Sequence, residues 1–73
     1  MPSDNSRDLG AVIRAARIEK GFTQEAFAAH VELDRSYYGA VERGEHNVTV
    51  ETLAIVAAGL EMPAWMLLRR ADV

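Results

Sequence analysis

The chain has no cysteine, which removes both a disulfide framework and any thiolate metal site. Its two histidines, His30 and His46, are isolated imidazoles and do not make a zinc site, so no metal is expected. No apolar run approaches the roughly 20 residues that span a bilayer. The opening Met1-Pro2-Ser3-Asp4-Asn5-Ser6 lacks the basic-then-apolar pattern of a secretory leader, so a cytoplasmic location is expected. Positive charge is also in deficit. Eight Lys and Arg against eleven Asp and Glu give a net charge of −3, on which a nucleic-acid binder would be an unusual choice. That objection concerns the whole chain, however, and phosphate contacts are made by one face.

What is present is a hydrophobic fraction of 49%, ordinary for a globular chain and too rich for disorder. Seventy-three residues make one small domain with a modest core, the kind of unit that gains from a partner subunit. Helical punctuation runs along its length. Residues 1–7 read as a flexible N-terminal arm and 8–70 as the folded domain. A first helix starts after Ser6, a cap residue, and carries Leu9, Ile13 and Ala16 on one face with Val12 beside them. It should end at Gly21, which can take the left-handed form at a helix terminus. Thr23 caps a second helix to about His30, with Phe27 and Val31 inward. Asp34 caps a third to about Arg43, with Tyr38 and Val41 inward, and Gly44 ends it. Thr49 caps a fourth, in which Leu53, Val56, Ala57 and Leu60 keep the spacing of one buried face. Pro63 suits the first turn of a fifth, which ends in Arg69-Arg70. No alternating β-branched run occurs. The expectation is an all-α, compact five-helix bundle.

Helices two and three are short and joined by about four residues, the arrangement of a helix-turn-helix, whose second member can lie in a DNA major groove. Spacing of this kind is common in small bundles, and the residues are more specific. Arg17, Gly21-Phe22-Thr23-Gln24-Glu25, Ala28, Asp34-Arg35-Ser36-Tyr37-Tyr38 and Val41-Glu42-Arg43-Gly44 resemble the lambda-repressor/Cro-like (XRE-type) family. The likeness continues through Val50-Glu51-Thr52-Leu53, Gly59-Leu60 and Leu67-Leu68, and so covers roughly residues 8–68. Arg35-Ser36-Tyr37 with Asn47-Val48-Thr49 also resembles the controller proteins of restriction–modification systems.

The resemblance implies roles. Thr23 and Gln24 match the start of the second helix, where the family holds a phosphate, and free N–H groups at a helix start suit an anion. Arg35, Ser36 and Ala40 match outward, base-reading positions of the third helix. Arginine is the best bidentate reader of guanine, serine contacts several bases, and a methyl can meet thymine. Tyr37, Arg43 and Asn47 are candidates for phosphate contacts. Glu42 matches an acidic residue that pairs with the arginine found here as Arg17, a structural ion pair. Departures are visible as well. Glu32 and Glu61 stand where the family commonly has Gly, or Gly or Asn, which would strain a left-handed backbone. Gly39 is expected on the exposed side of the third helix, and Glu45 adds negative charge to the loop.

On the fifth helix, Ala64 and Leu67 match inward positions, leaving Trp65 and Leu68 to share a second face. An exposed Trp–Leu patch on a small protein usually marks an interface, here a dimer interface. The expected partners are therefore double-stranded DNA and a second copy of the chain, with no membrane and no small-molecule ligand. The expected function is a sequence-specific transcription regulator that acts as a homodimer on a palindromic operator, near its own gene. The alternative is a protein-interaction or antitoxin-type module using the same fold. No Ser–His–acid, Cys–His or carboxylate pair is assembled by the pattern, so neither an enzyme nor a cofactor is expected.

Overall fold

Three hydroxyl or carboxylate caps set the helix starts. Thr23 Oγ1 accepts from the Ala26 N–H at 3.0 Å, Asp34 Oδ2 from Tyr37 at 2.9 Å, and Thr49 Oγ1 from Thr52 at 3.0 Å. Each satisfies a backbone donor that the helix itself leaves unpaired. The computed structural model describes residues 4–72. Five helices follow in order: α1 (Asp4–Glu19), α2 (Gln24–His30), α3 (Arg35–Glu42), α4 (Val50–Gly59) and α5 (Ala64–Arg70). No strand occurs among the described residues, and the chain is all-α as expected. Pro63 stands just before α5 as its cap residue. The start of α1 differs from expectation. It takes in residues 4–7, assigned from the sequence to an arm, because a cap-like Ser6 does not oblige a helix to begin there; residues 1–3 of that arm lie outside the described residues.

Helix ends obey one rule four times. Gly21, Glu32, Gly44 and Glu61 each take positive φ (87°, 58°, 74° and 58°). The next N–H then folds back to a carbonyl five residues earlier: Phe22 to Arg17, Leu33 to Ala28, Glu45 to Ala40 and Met62 to Ala57. This is the Schellman closure, which pairs carbonyls the helix would otherwise leave bare. Phe22, Leu33 and Met62 then pack against the core, an apolar contact that secures the turn. At Glu32 and Glu61 that contact offsets a strain on the order of 1 kcal/mol for a left-handed residue with a Cβ.

The core is the one expected from the helical stripes and, at Leu67, from the family resemblance. Ile13, Phe27, Tyr38, Val41, Val56, Leu60 and Leu67 are fully buried, with Leu9, Ala16, Leu53 and Ala57 around them. The Phe27 ring lies 5.3 Å from those of Phe22 and Tyr38. α1 packs on α3 and α5, and α2 packs on α3. Gly10, which the sequence did not single out, makes the first of these contacts possible. A Cβ there would sit 2.5 Å from the Val41 carbonyl oxygen and 2.6 Å from that of Glu42, closer than packed atoms allow. α1 thus rests directly on the backbone at the end of α3.

Candidate nucleic-acid interface

Beneath α3 lies a carboxylate with four donors. Glu42 is 5% exposed and accepts from Arg17 Nε at 2.7 Å, Arg17 Nη2 at 3.1 Å, Gln24 Nε2 at 3.1 Å and the Tyr38 hydroxyl. Arg17, 7% exposed, also donates from Nη1 to the Phe22 carbonyl at 2.8 Å. Burial pushes the Glu42 carboxyl up, but hydrogen bonds from Arg17, Tyr38 and Gln24 outweigh it and hold the group below the usual carboxylate range. Burial and the bond to Glu42 raise the Tyr38 phenol far above its ordinary value. Every partner is charged or a donor, so the pair expected between Arg17 and Glu42 is present and fully satisfied. It ties the first three helices together. Removing one member of such a pair strands the other, at about 3–5 kcal/mol.

The other side of α3 is accessible at its beginning. Arg35 occupies the first position with its side chain 70% exposed, and Ser36 beside it is exposed. From Tyr38 to Glu42 all five residues are buried. This corrects two expectations. Ala40 is 6% exposed, so its methyl is not offered to a base. Gly39 is covered rather than open. A Cβ there would lie 3.1 Å from Arg43 Nη1 and 3.2 Å from Gln24 Oε1, so these two side chains close over the helix at that point.

The candidate phosphate contacts fall into two groups. Thr23 is exposed at the start of α2, Arg43 is exposed after α3, and Asn47 is exposed in the loop before α4. Gln24 and Tyr37 are half-buried and already engaged. The Gln24 amide donates to Glu42, a structural role the sequence did not reveal. The Tyr37 hydroxyl shares a 3.1 Å hydrogen bond with Thr52 Oγ1, which accepts from Thr49 Oγ1 at 3.0 Å. In the orientation Thr49 to Thr52 to Tyr37, the phenol proton is left for an outside acceptor. The Tyr37 ring also lies 5.7 Å from His46, joining α3 to the following loop. Thr52 was not among the expected site residues, although its place three residues after a threonine cap is the one a sequence signal would mark.

The two exposed arginines of the candidate interface, Arg35 and Arg43, have carboxylate neighbours on the same chain. Arg35 Nη1 lies 3.5 Å from Glu25 Oε2, and Arg43 reaches Glu45 through Nε at 3.1 Å and Nη2 at 3.2 Å. The Glu45 contact holds Arg43 above its ordinary value and itself below. No group of three or more potential ligands for a metal occurs among the described residues.

Far along the chain, Trp65 is 58% exposed and Leu68 is half-buried against the core. A hollow of about 350 Å³ opens between α1 and the α4–α5 corner, with Leu60, Met62 and Met66 in its lining. Lys20–Glu61 and Glu19–Arg70 ion pairs border it, and it includes none of the candidate DNA contacts. No single described helix is long and apolar enough to cross a membrane.

A helix-turn-helix family model matches residues 13–64. Control protein C.MunI of a Mycoplasma species is 42% identical over 53 residues, covering 71% of this chain and 72% of that one. Among solved structures, the restriction-modification controller protein C.AhdI from Aeromonas hydrophila superposes with a TM-score of 0.84 at 35% identity, covering 89% of this chain and 98% of that one. The clp gene regulator ClgR from C. glutamicum does so with a TM-score of 0.88 at 31% identity, over 93% and 87%. These relatives are regulators, not enzymes, and their likeness spans the α2–α3 pair and the framework beneath it. By its sequence and its fold alike, the chain belongs to the XRE-type helix-turn-helix family of DNA-binding transcription regulators.

Proposed function

We propose that this chain is a sequence-specific transcription regulator of the cytoplasm that binds an approximately palindromic operator near its own gene as a homodimer. One observation carries the reading: Arg35 stands 70% exposed at the first turn of a helix whose last five residues are buried. An anchored helix presenting its N-terminal side chains is the geometry with which helix-turn-helix proteins read base edges. Arg35 and Ser36 would read bases, with Thr23, Tyr37, Arg43 and Asn47 on the flanking backbone and Gln24 beside them. Relatives that are control proteins support a regulatory role. The test is titration of the chain's own upstream DNA at low and moderate salt, with Arg35→Ala beside the wild type. Arg35→Ala should weaken operator binding roughly ten-fold or more, the scale of a bidentate base contact. Equal binding to upstream and random DNA at every salt would sink the reading.

The dimer rests on the exposed Trp65 with Leu68 three residues on, beyond the segment the family model matches. Two copies would set their recognition helices about 34 Å apart, one DNA turn. Sedimentation should give a dimer that Trp65→Ala converts toward monomer. A second reading, a protein-interaction or antitoxin-type module, is favoured by the net charge of −3. It would prevail if Arg35→Ala left both regulation and partner binding intact.

A further inference from the structure

Arginine 35 is not alone at the start of α3. Its Nη1 lies 3.5 Å from Glu25 Oε2, and the two side chains are 70% and 74% exposed. Water screens a pair that open, so its worth to the fold is small. Its geometry matters more. The nearest approach of Glu25 to the guanidinium is at Nη1, which does not belong to the edge formed by Nε and Nη2. That edge is a two-donor fork of the kind that matches O6 and N7 of guanine. We infer that Glu25 is a positioning residue for base reading: it holds Arg35 by one nitrogen and presents the other edge to a guanine. The inference rests on the proposed DNA-binding function and adds a specificity determinant to it.

The consequence is a difference between two kinds of DNA contact. Reading guanine through the open edge leaves the Glu25 pair intact. Reaching for an arbitrary phosphate swings the guanidinium away and breaks it. A long side chain held in its working orientation also loses less freedom on binding. Glu25 therefore favours the operator over random sequence although it carries the wrong charge for DNA. The Arg43–Glu45 pair provides the contrast. There Glu45 takes the Nε and Nη2 edge itself, on an arginine that follows α3 instead of standing at its first turn.

The two carboxylates separate in one experiment. The wild-type full chain first selects its preferred duplex from a randomised pool; Glu25→Gln and Glu45→Gln are then titrated with that duplex, with variants of its G·C pairs, and with random DNA. Glu25→Gln should weaken binding to the selected duplex roughly two- to five-fold, the scale of an exposed ion pair, and flatten the preference at one G·C pair in each half-site. Its affinity for random DNA should hold or rise, since removal of a charge near phosphate is worth roughly three-fold at about 7 Å in water. Glu45→Gln should tighten both duplexes alike. An unchanged melting temperature for Glu25→Gln shows that the fold is not the cause. Equal tightening by Glu25→Gln on selected and random DNA would overturn the inference, as would flattening of the G·C preference by Glu45→Gln. If the wild type selects no sequence, the functional reading itself fails and takes the inference with it.

Discussion

Arginine meets glutamate on both sides of α3, and the two settings have opposite meanings. On the inner side, Arg17 and Glu42 are 7% and 5% exposed and joined by two hydrogen bonds, with Gln24 and Tyr38 filling the remaining positions on the carboxylate. On the outer side, Arg35–Glu25 and Arg43–Glu45 stand more than half exposed. Burial makes the first pair indispensable once formed, because either partner alone would be an unpaired charge out of water. Exposure makes the outer pairs exchangeable, because water or a ligand can replace either partner. The same chemistry builds the scaffold in one place and, on our proposal, the reading surface in the other.

The comparison can be broken first at its buried end. Glu42→Ala should lower stability by about 3–5 kcal/mol. In a domain of this size that is a fall in Tm of roughly 15 °C or more, measurable by circular dichroism. A drop no larger than that of a surface substitution would remove the distinction. Acid reproduces part of this loss, and the sign is fixed. The Glu42 carboxyl is held below its ordinary 4.5 in the fold, so its contribution is fully present above that pH and is lost as pH falls through the lowered value. Thermal melts of wild type and Glu42→Gln should therefore converge below pH 4.5. Tyr38→Phe removes one of four donors to the carboxylate, and chemical denaturation should read a loss of about 1.5–3 kcal/mol, the worth of a hydrogen bond to a charged group. The outer side gives the smallest stability effect: Glu25→Gln should shift Tm by no more than about 3 °C.

The sequence reveals the framework more fully than the site. Caps at Thr23, Asp34 and Thr49, the Gly21 and Gly44 stops and the buried stripes are local signals, readable from spacing within one turn. The Arg17–Glu42 pair came through resemblance, since no local rule links residues 25 apart. What escaped depends on which elements meet. Ala40 looks outward on an isolated helix, yet in the folded chain it is buried. Gln24 looks like a surface amide until Glu42 arrives from α3. Gly10 carries no motif, and its importance appears only when α1 lies against the backbone of α3. Glu25 stands in the sequence only as part of the Gly21-to-Glu25 motif; its position beside Arg35 follows from how α2 and α3 cross.

On the proposed homodimeric function, the burial of Tyr38 through Glu42 also limits how much information each subunit can extract from DNA. With the latter part of α3 closed off, few side chains remain to distinguish one base from another. A reader of about three base pairs meets its sequence by chance about once in 64 positions, and a pair of such readers about once in 4,000. Even the doubled figure leaves many false addresses in a genome. A regulator with so short a vocabulary works best where distance shortens the search, as at the operator proposed beside its own gene.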